Sequence, residues 1–185
     1  MPQVESIPKR YLVEKANYSQ DMLIRLIEEN DSNAILQIYN HEVQASAATF
    51  DLVTRKPEEQ RIWMTEHSGV FSALVAELGN EIVGFASLSP YKNRAAYNTT
   101  VENSVYTKSE FRGQGIADAL LQELISVARS NGFHTMIARI GGANEASIAL
   151  HNKNGFTTVG IEREVGRKFG QWQDVVIMQI LIDRT

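Results

Sequence analysis

Arg112-Gly113-Gln114-Gly115-Ile116-Ala117 is the stretch on which the reading of this chain turns. Ahead of it stands a strand-like run, Val101 to Tyr106. Behind it, Asp118 to Arg129 places Ala119, Leu120, Leu121, Leu124, Ile125 and Ala128 on one apolar side of a helix. A glycine-rich turn that opens a helix leaves several backbone N–H groups unpaired and aimed at one spot. With the positive end of the helix dipole they form a cradle for phosphate. Glycine serves twice here, because it reaches backbone angles closed to other residues and lets a phosphate come close to the main chain. The alternative is a strand-to-helix turn that merely tolerates glycine and holds no ligand.

The kind of phosphate follows partly by elimination. The dinucleotide fingerprint fails, since Asp118 stands where a small residue must sit, and no Gly-Lys-Ser/Thr closes a P-loop. What remains is R-x-x-G-x-A, carried by Arg112, Gly115 and Ala117. This resembles the acyl-CoA pyrophosphate loop of the GNAT acetyltransferase superfamily. Further blocks in the same order narrow the resemblance to the phosphinothricin and methionine sulfoximine acetyltransferase branch. They are Ile38-Tyr39-Asn40-His41, Ala48-Thr49-Phe50, Lys92-Asn93-Arg94-Ala95-Ala96-Tyr97 and Thr100-Val101-Glu102-Asn103-Ser104-Val105-Tyr106. Toward the C-terminus come Asn144-x-x-Ser147, His151 with Gly155-Phe156, and Lys168-Phe169-Gly170-Gln171-Trp172-x-Asp174. The resemblance covers about residues 22 to 183.

Composition sets compatible bounds. With 185 residues and 43% hydrophobic content, one domain with a sizeable core is the simplest expectation. The net charge of −4 comes without a lysine-arginine cluster, which argues against nucleic acid as a principal partner. No apolar run approaches a membrane span and the N-terminus lacks the apolar core of a signal peptide, so a cytoplasmic location is expected. Cysteine is absent, which removes disulfides, thiolate metal sites and an acyl-cysteine intermediate. Acyl transfer is then expected to be direct, within a ternary complex. His41, His67 and His134 show no carboxylate spacing that suggests a metal, so no metal site is expected.

Residues 1–20, with two prolines and no clear period, read as a tail or arm before a single domain over 21–185. Met22 to Ile27 reads as the first strand, and Asp31 as a cap for a helix running to about Ala45. Pro57-Glu58-Glu59 opens a second helix. Ser72 to Leu78 and Glu81 to Leu88 flank Gly79-Asn80 as a hairpin. Val101 to Thr107 and His134 to Ile140 are strands, Asn144 caps a helix through Asn152, and two strands follow near Phe156–Glu164 and Val175–Ile182. This order gives an α/β (α+β) chain with a mixed sheet flanked by helices. The resemblance makes that sheet mostly antiparallel with about seven strands.

An amine attacks a thioester only when unprotonated, so the site needs a proton acceptor. Glu102 lies in an otherwise apolar strand just before the loop, where burial would raise its pKa to a useful value. On residue type alone an outward-facing carboxylate is the commoner case, and the resemblance is what turns Glu102 toward the acceptor. It acts directly, through a water, or by orienting the ammonium. An α-amine titrates near ~7.7–8.0, whereas a lysine-like amine near ~10.4 costs about 4.6 kcal/mol to deprotonate at neutral pH. One carboxylate suits the easier task. Lys92 and Arg94 form a positive pair that could bind an acidic acceptor, with Asn93 beside them; an ordinary solvated loop is the alternative. Asn103 and Ser104 add neutral hydrogen bonds.

The resemblance also implies the cofactor residues. Val105, Tyr106 and Thr107 would pair with pantetheine amides, Gly113, Gln114, Gly115, Ile116, Ala117 and Asp118 would hold the pyrophosphate, and Asn144 would touch the pantetheine arm or serve only as a cap. Lys153 could reach CoA phosphates or remain a surface lysine. Many GNAT enzymes carry a tyrosine where this chain has His151, which stays outside the catalytic set. Trp63 and Trp172 read as core or interface residues. The expected activity is acetyl-CoA-dependent N-acetylation of a small amino-acid-like amine of the methionine sulfoximine, methionine sulfone or phosphinothricin type, by a homodimer. Other amines, such as a polyamine or a protein N-terminus, and a non-catalytic acyl-CoA sensor are the alternatives.

Overall fold

The computed structural model describes residues 10–13, 22–142 and 144–182. Its elements run β1 (Arg10–Val13), β2 (Met22–Leu26), α1 (Ser32–Ala45), α2 (Pro57–Glu66), β3 (Ala73–Leu78), β4 (Glu81–Pro90) and β5 (Thr100–Thr107). They continue with α3 (Ile116–Ser130), β6 (Thr135–Gly141), α4 (Glu145–Lys153), β7 (Thr157–Lys168) and β8 (Gln171–Leu181). One sheet takes all eight strands in the order β1-β2-β3-β4-β5-β6-β8-β7. Every pairing is antiparallel except β5 with β6. The mixed, mostly antiparallel sheet is thus as expected. Seven of its strands follow Met22, and the eighth comes from the tail, where Arg10–Val13 pairs with β2.

Strand alternation sorts the core into two halves. Val101 of β5 and Met136, Ala138 and Ile140 of β6 join Leu120, Leu121 and Leu124 of α3 on one face. On the other, Ile35, Ile38 and Val43 of α1 pack on Val75 and Phe85, with Trp63 and Tyr106 against them. α1 and α3 each present one apolar stripe to the sheet, which is why α3 forms from the spacing noted above.

One local expectation is corrected and another narrowed. Asp31 is the N-cap of α1 by position, but its side chain makes no bond to the helix. Its carboxylate takes two bonds from Arg25, at 2.6 and 2.9 Å, and one from Glu28 N at 2.7 Å. A buried arginine, also bonded to Glu77 at 2.9 Å, outcompetes the helix end for those oxygens. Trp172 is 61% exposed, which excludes the core and leaves the interface alternative. It stands on the β7–β8 hairpin, whose Phe169-Gly170 turn has φ of 52° and 76°.

Candidate active site

β5 and β6 run side by side only from Thr100↔Thr135 to Asn103↔Ala138. Beyond that point β5 continues to Thr107 along β4, and β6 continues to Gly141 along β8. The edge of β5 over Ser104–Thr107 therefore faces a gap instead of a partner strand. A cleft of about 810 Å³ occupies this gap. Its walls come from both faces of the sheet. Tyr39, Glu42, Thr49, Phe50, Glu102 and Arg139 stand on the α1 side, and Gly113, Gly115–Asp118, Asn144, Ser147, Leu150 and His151 on the α3–α4 side.

The loop before α3 takes the conformation its glycines permit. Gly113 and Gly115 have φ of 74° and 85°, and Gly115 is the N-cap of the 15-residue helix. A Cβ on Gly113 would meet nothing within 4 Å, so the backbone there is open to an approaching group. The first helical turn directs N–H groups without intrahelical acceptors toward that opening. Thr107 Oγ1, in the cleft wall, is buried with no hydrogen-bond partner. Open glycine backbone, an unpaired strand edge and an orphaned hydroxyl together suit a long ligand with an anionic end and amides along its length.

Arg112 of this loop pairs with Glu42 of α1, a buried carboxylate whose other oxygen accepts from Ser46 Oγ at 2.7 Å. The pair ties the loop to the opposite face of the sheet. Asp118 accepts from Lys153 Nζ and Asn154 Nδ2, both at 3.0 Å, joining α3 to α4. The Lys153 ammonium, expected at CoA phosphates, is thus engaged by Asp118 and does not line the cleft. Gln114 donates to Glu110 O at 3.3 Å and also stays off its walls.

On the α1 side of the cleft, burial pushes the Glu102 carboxyl above its usual range. Arg139 draws it back and Glu162 lifts it again. Tyr39 Oη donates to Asp51 Oδ2 at 2.6 Å and lies 3.0 Å from Thr49 Oγ1, which fixes the rim. Lys168 Nζ donates to the Thr49 carbonyl at 2.7 Å. Phe50 fits this wall because Gly141 and Gly166 lack side chains: a Cβ on either would fall within 2.5 Å of its ring.

Asn103, Ser104, Val105, Tyr106, Thr107 and Asn144 all line the cleft, and Asn144 also caps α4 by accepting from Ser147 N at 3.1 Å. Lys92, Asn93 and Arg94 do not. They line a separate cavity with Tyr97, where Lys92 Nζ lies over the Tyr91 and Tyr97 rings. His151 is buried, with Nδ1 2.8 Å from Ser147 O and Nε2 3.1 Å from Asn103 Oδ1. Both nitrogens face oxygens, so a neutral ring satisfies one contact and the imidazolium both, while burial lowers its pKa. Glu42 and Arg139 are cleft residues that sequence reasoning missed. An isolated glutamate or arginine carries no local signal of burial or of a gap between strands.

The family model described as Acetyltransferase (GNAT) family matches residues 33–156. The L-methionine sulfoximine/L-methionine sulfone acetyltransferase of Salmonella typhimurium is 36% identical over 88% of this chain and 95% of its own. Two crystal structures are similarly close. A GNAT phosphinothricin acetyltransferase from Sinorhizobium meliloti, in complex with AcCoA, has a TM-score of 0.83 at 36% identity, covering 85% of this chain and 86% of its own. A ribosomal-protein-alanine N-acetyltransferase from Brucella melitensis has a TM-score of 0.83 at 39% identity, covering 85% and 98%. The chain belongs to the GNAT acetyltransferase family. It is an acetyl-CoA-dependent N-acetyltransferase. Among the described residues no helix is long and apolar enough to cross a membrane.

Proposed function

We propose that the chain acetylates the α-amine of a small amino-acid-like acceptor of the methionine sulfoximine, methionine sulfone or phosphinothricin type. The observation that carries this is the partly buried Glu102 on the α1 face of a cleft whose opposite face holds the glycine loop. Donor and acceptor would enter from opposite sides and meet in the gap between the strands. Gly113–Asp118 would hold the pyrophosphate and Val105–Thr107 the pantetheine amides, with Asn144 at the pantetheine arm. Lys153, engaged by Asp118, would serve this loop by neutralising that carboxylate.

The amine nitrogen attacks the thioester carbonyl. A C–N bond forms, the C–S bond breaks, and CoA leaves as a thiolate. The nitrogen gives up one proton, to Glu102 directly or through a water, and the thiolate takes one up. Asn103 is held by His151 and by its own donation to Ile137 O at 3.2 Å, which fixes β5 beside Glu102. Ser104 offers a neutral hydrogen bond on the Glu102 face.

The proposal includes a homodimer. Within one chain Lys92, Asn93 and Arg94 are outside the cleft, so they would serve an acceptor only when a second copy presents them. Val159, Ile161, Val165, Phe169 and Trp172, all exposed on the β7–β8 hairpin, supply apolar surface for such an assembly. A second reading, acetylation of a protein N-terminal amine, is favoured by the name of the Brucella melitensis structure. A panel of amino acids and N-terminal peptides, followed by release of free thiol from acetyl-CoA, decides between them. Turnover of methionine sulfoximine, methionine sulfone or phosphinothricin supports the small-acceptor reading, and turnover of peptides alone defeats it.

A further inference from the structure

β6 is buried along its whole length except at Arg139. Met136, Ala138 and Ile140 enter the α3-side core, so Ile137 and Arg139 face the other way. Ile137 is the partner of Glu102, which puts Arg139 on the Glu102 face, one strand over and within the cleft wall. Its Nη2 donates to Glu162 Oε2 at 2.7 Å, and the two side chains are 35% and 41% exposed. An ion pair this open to water is held weakly and exchanges readily. Among the described residues, three other cations near the cleft wall are engaged: Arg112 with buried Glu42, Lys168 with the Thr49 carbonyl, and Arg55 with Gln60 Oε1 and the Tyr39 ring.

We propose that Arg139 selects acceptors bearing an acidic group, exchanging Glu162 for the acceptor's carboxylate or phosphinate, with Glu162 as the competing anion that holds the guanidinium ready. The inference rests on the small-acceptor reading above. A guanidinium suits it because its planar fork matches a two-oxygen acid. An uncharged amine gains nothing from the exchange, and a polyamine is repelled. Both members of the pair act on Glu102, Arg139 lowering its pKa and Glu162 raising it, so the pair stands close to the candidate base.

Steady-state kinetics on methionine sulfone and its uncharged carboxamide test the exchange. Arg139→Ala should raise KM for the sulfone by about ten- to a hundred-fold, with the KM for acetyl-CoA unchanged, while any shift of kcat through the Glu102 pKa falls equally on acid and amide. The KM for the carboxamide should not move, and Arg139→Lys should restore part of the loss. Glu162→Gln should move KM for the sulfone the other way, downward, because the competitor is gone. A merely structural ion pair would give losses in both variants, equal for acid and amide, and that pattern overturns the inference alone. Wild-type enzyme that binds acetyl-CoA yet turns over neither compound faults the acceptor assignment, and the inference falls with it.

Discussion

Glu102 and Asn103 are neighbours in β5 that serve opposite faces of the sheet. Glu102 looks toward α1 and Arg139, while Asn103 Oδ1 lies 3.1 Å from His151 Nε2 beneath α4. Alternation along one strand thus supplies both a candidate base and the pin that holds it in register. Glu102→Gln should leave acetyl-CoA binding intact and lower turnover by about 10²–10⁴-fold. Base catalysis needs the carboxylate form, and burial lifts its pKa, so wild-type activity should rise with pH through an inflection above the ordinary glutamate value. The variant should lack that inflection. Near-native turnover with an unchanged pH profile would remove Glu102 from the mechanism.

Gly115 stands at φ 85° as the N-cap of α3. Valine there is strained by about 1–3 kcal/mol and places a branched side chain where the co-substrate approaches. The expected outcome for Gly115→Val is a folded protein by circular dichroism with acetyl-CoA affinity lost by calorimetry. Unchanged affinity would sink the loop assignment.

The Arg25–Asp31 pair, away from the cleft, is a matter of stability. Both residues are buried, and Asp31→Ala leaves Arg25 with Glu77 as its remaining carboxylate. Breaking such a pair costs about 3–5 kcal/mol, and the retained partner puts the cost near the lower end. Urea denaturation should show this loss with kcat/KM unaltered once the variant is folded. A change below about 1 kcal/mol would mean that the pair is better solvated than its burial implies.

Arg94 tests the assembly. If a second copy presents it to the cleft, Arg94→Ala and a charged replacement at exposed Trp172 should act alike. Both should raise KM for an acidic acceptor, the second by dissociating the dimer in analytical ultracentrifugation. A chain that stays fully active as a monomer would end both the dimer and the role of Arg94.

What was legible in the sequence was local. The Gly113–Gly115 turn, the α3 stripe and the Asn144 cap each depend on residues within a few positions of one another, so pattern and backbone chemistry suffice. What was not legible depends on strands that part. Nothing near Arg139 says that β6 leaves β5 after Ala138, and so a charged residue in a buried strand reads as a surface residue. Lys92 and Arg94 stand close to Glu102 in the chain, but the single 3-10 turn at Ala95–Tyr97 and the start of β5 separate them from it in space. Asp31 has the chemistry of a cap, and only the tertiary position of Arg25 diverts it. Arg10–Val13 lacks a period of its own and acquires strand geometry by lying along β2.

The bond from Lys168 to the Thr49 carbonyl spans 119 residues. During synthesis, the glycine loop and α3 emerge well before the lysine that fastens the Thr49 wall of the cleft. β8, later still, must insert between β6 and β7. A chain that ends before Lys168 therefore lacks the bond that fastens the Thr49 wall, although its glycine loop and α3 are already complete.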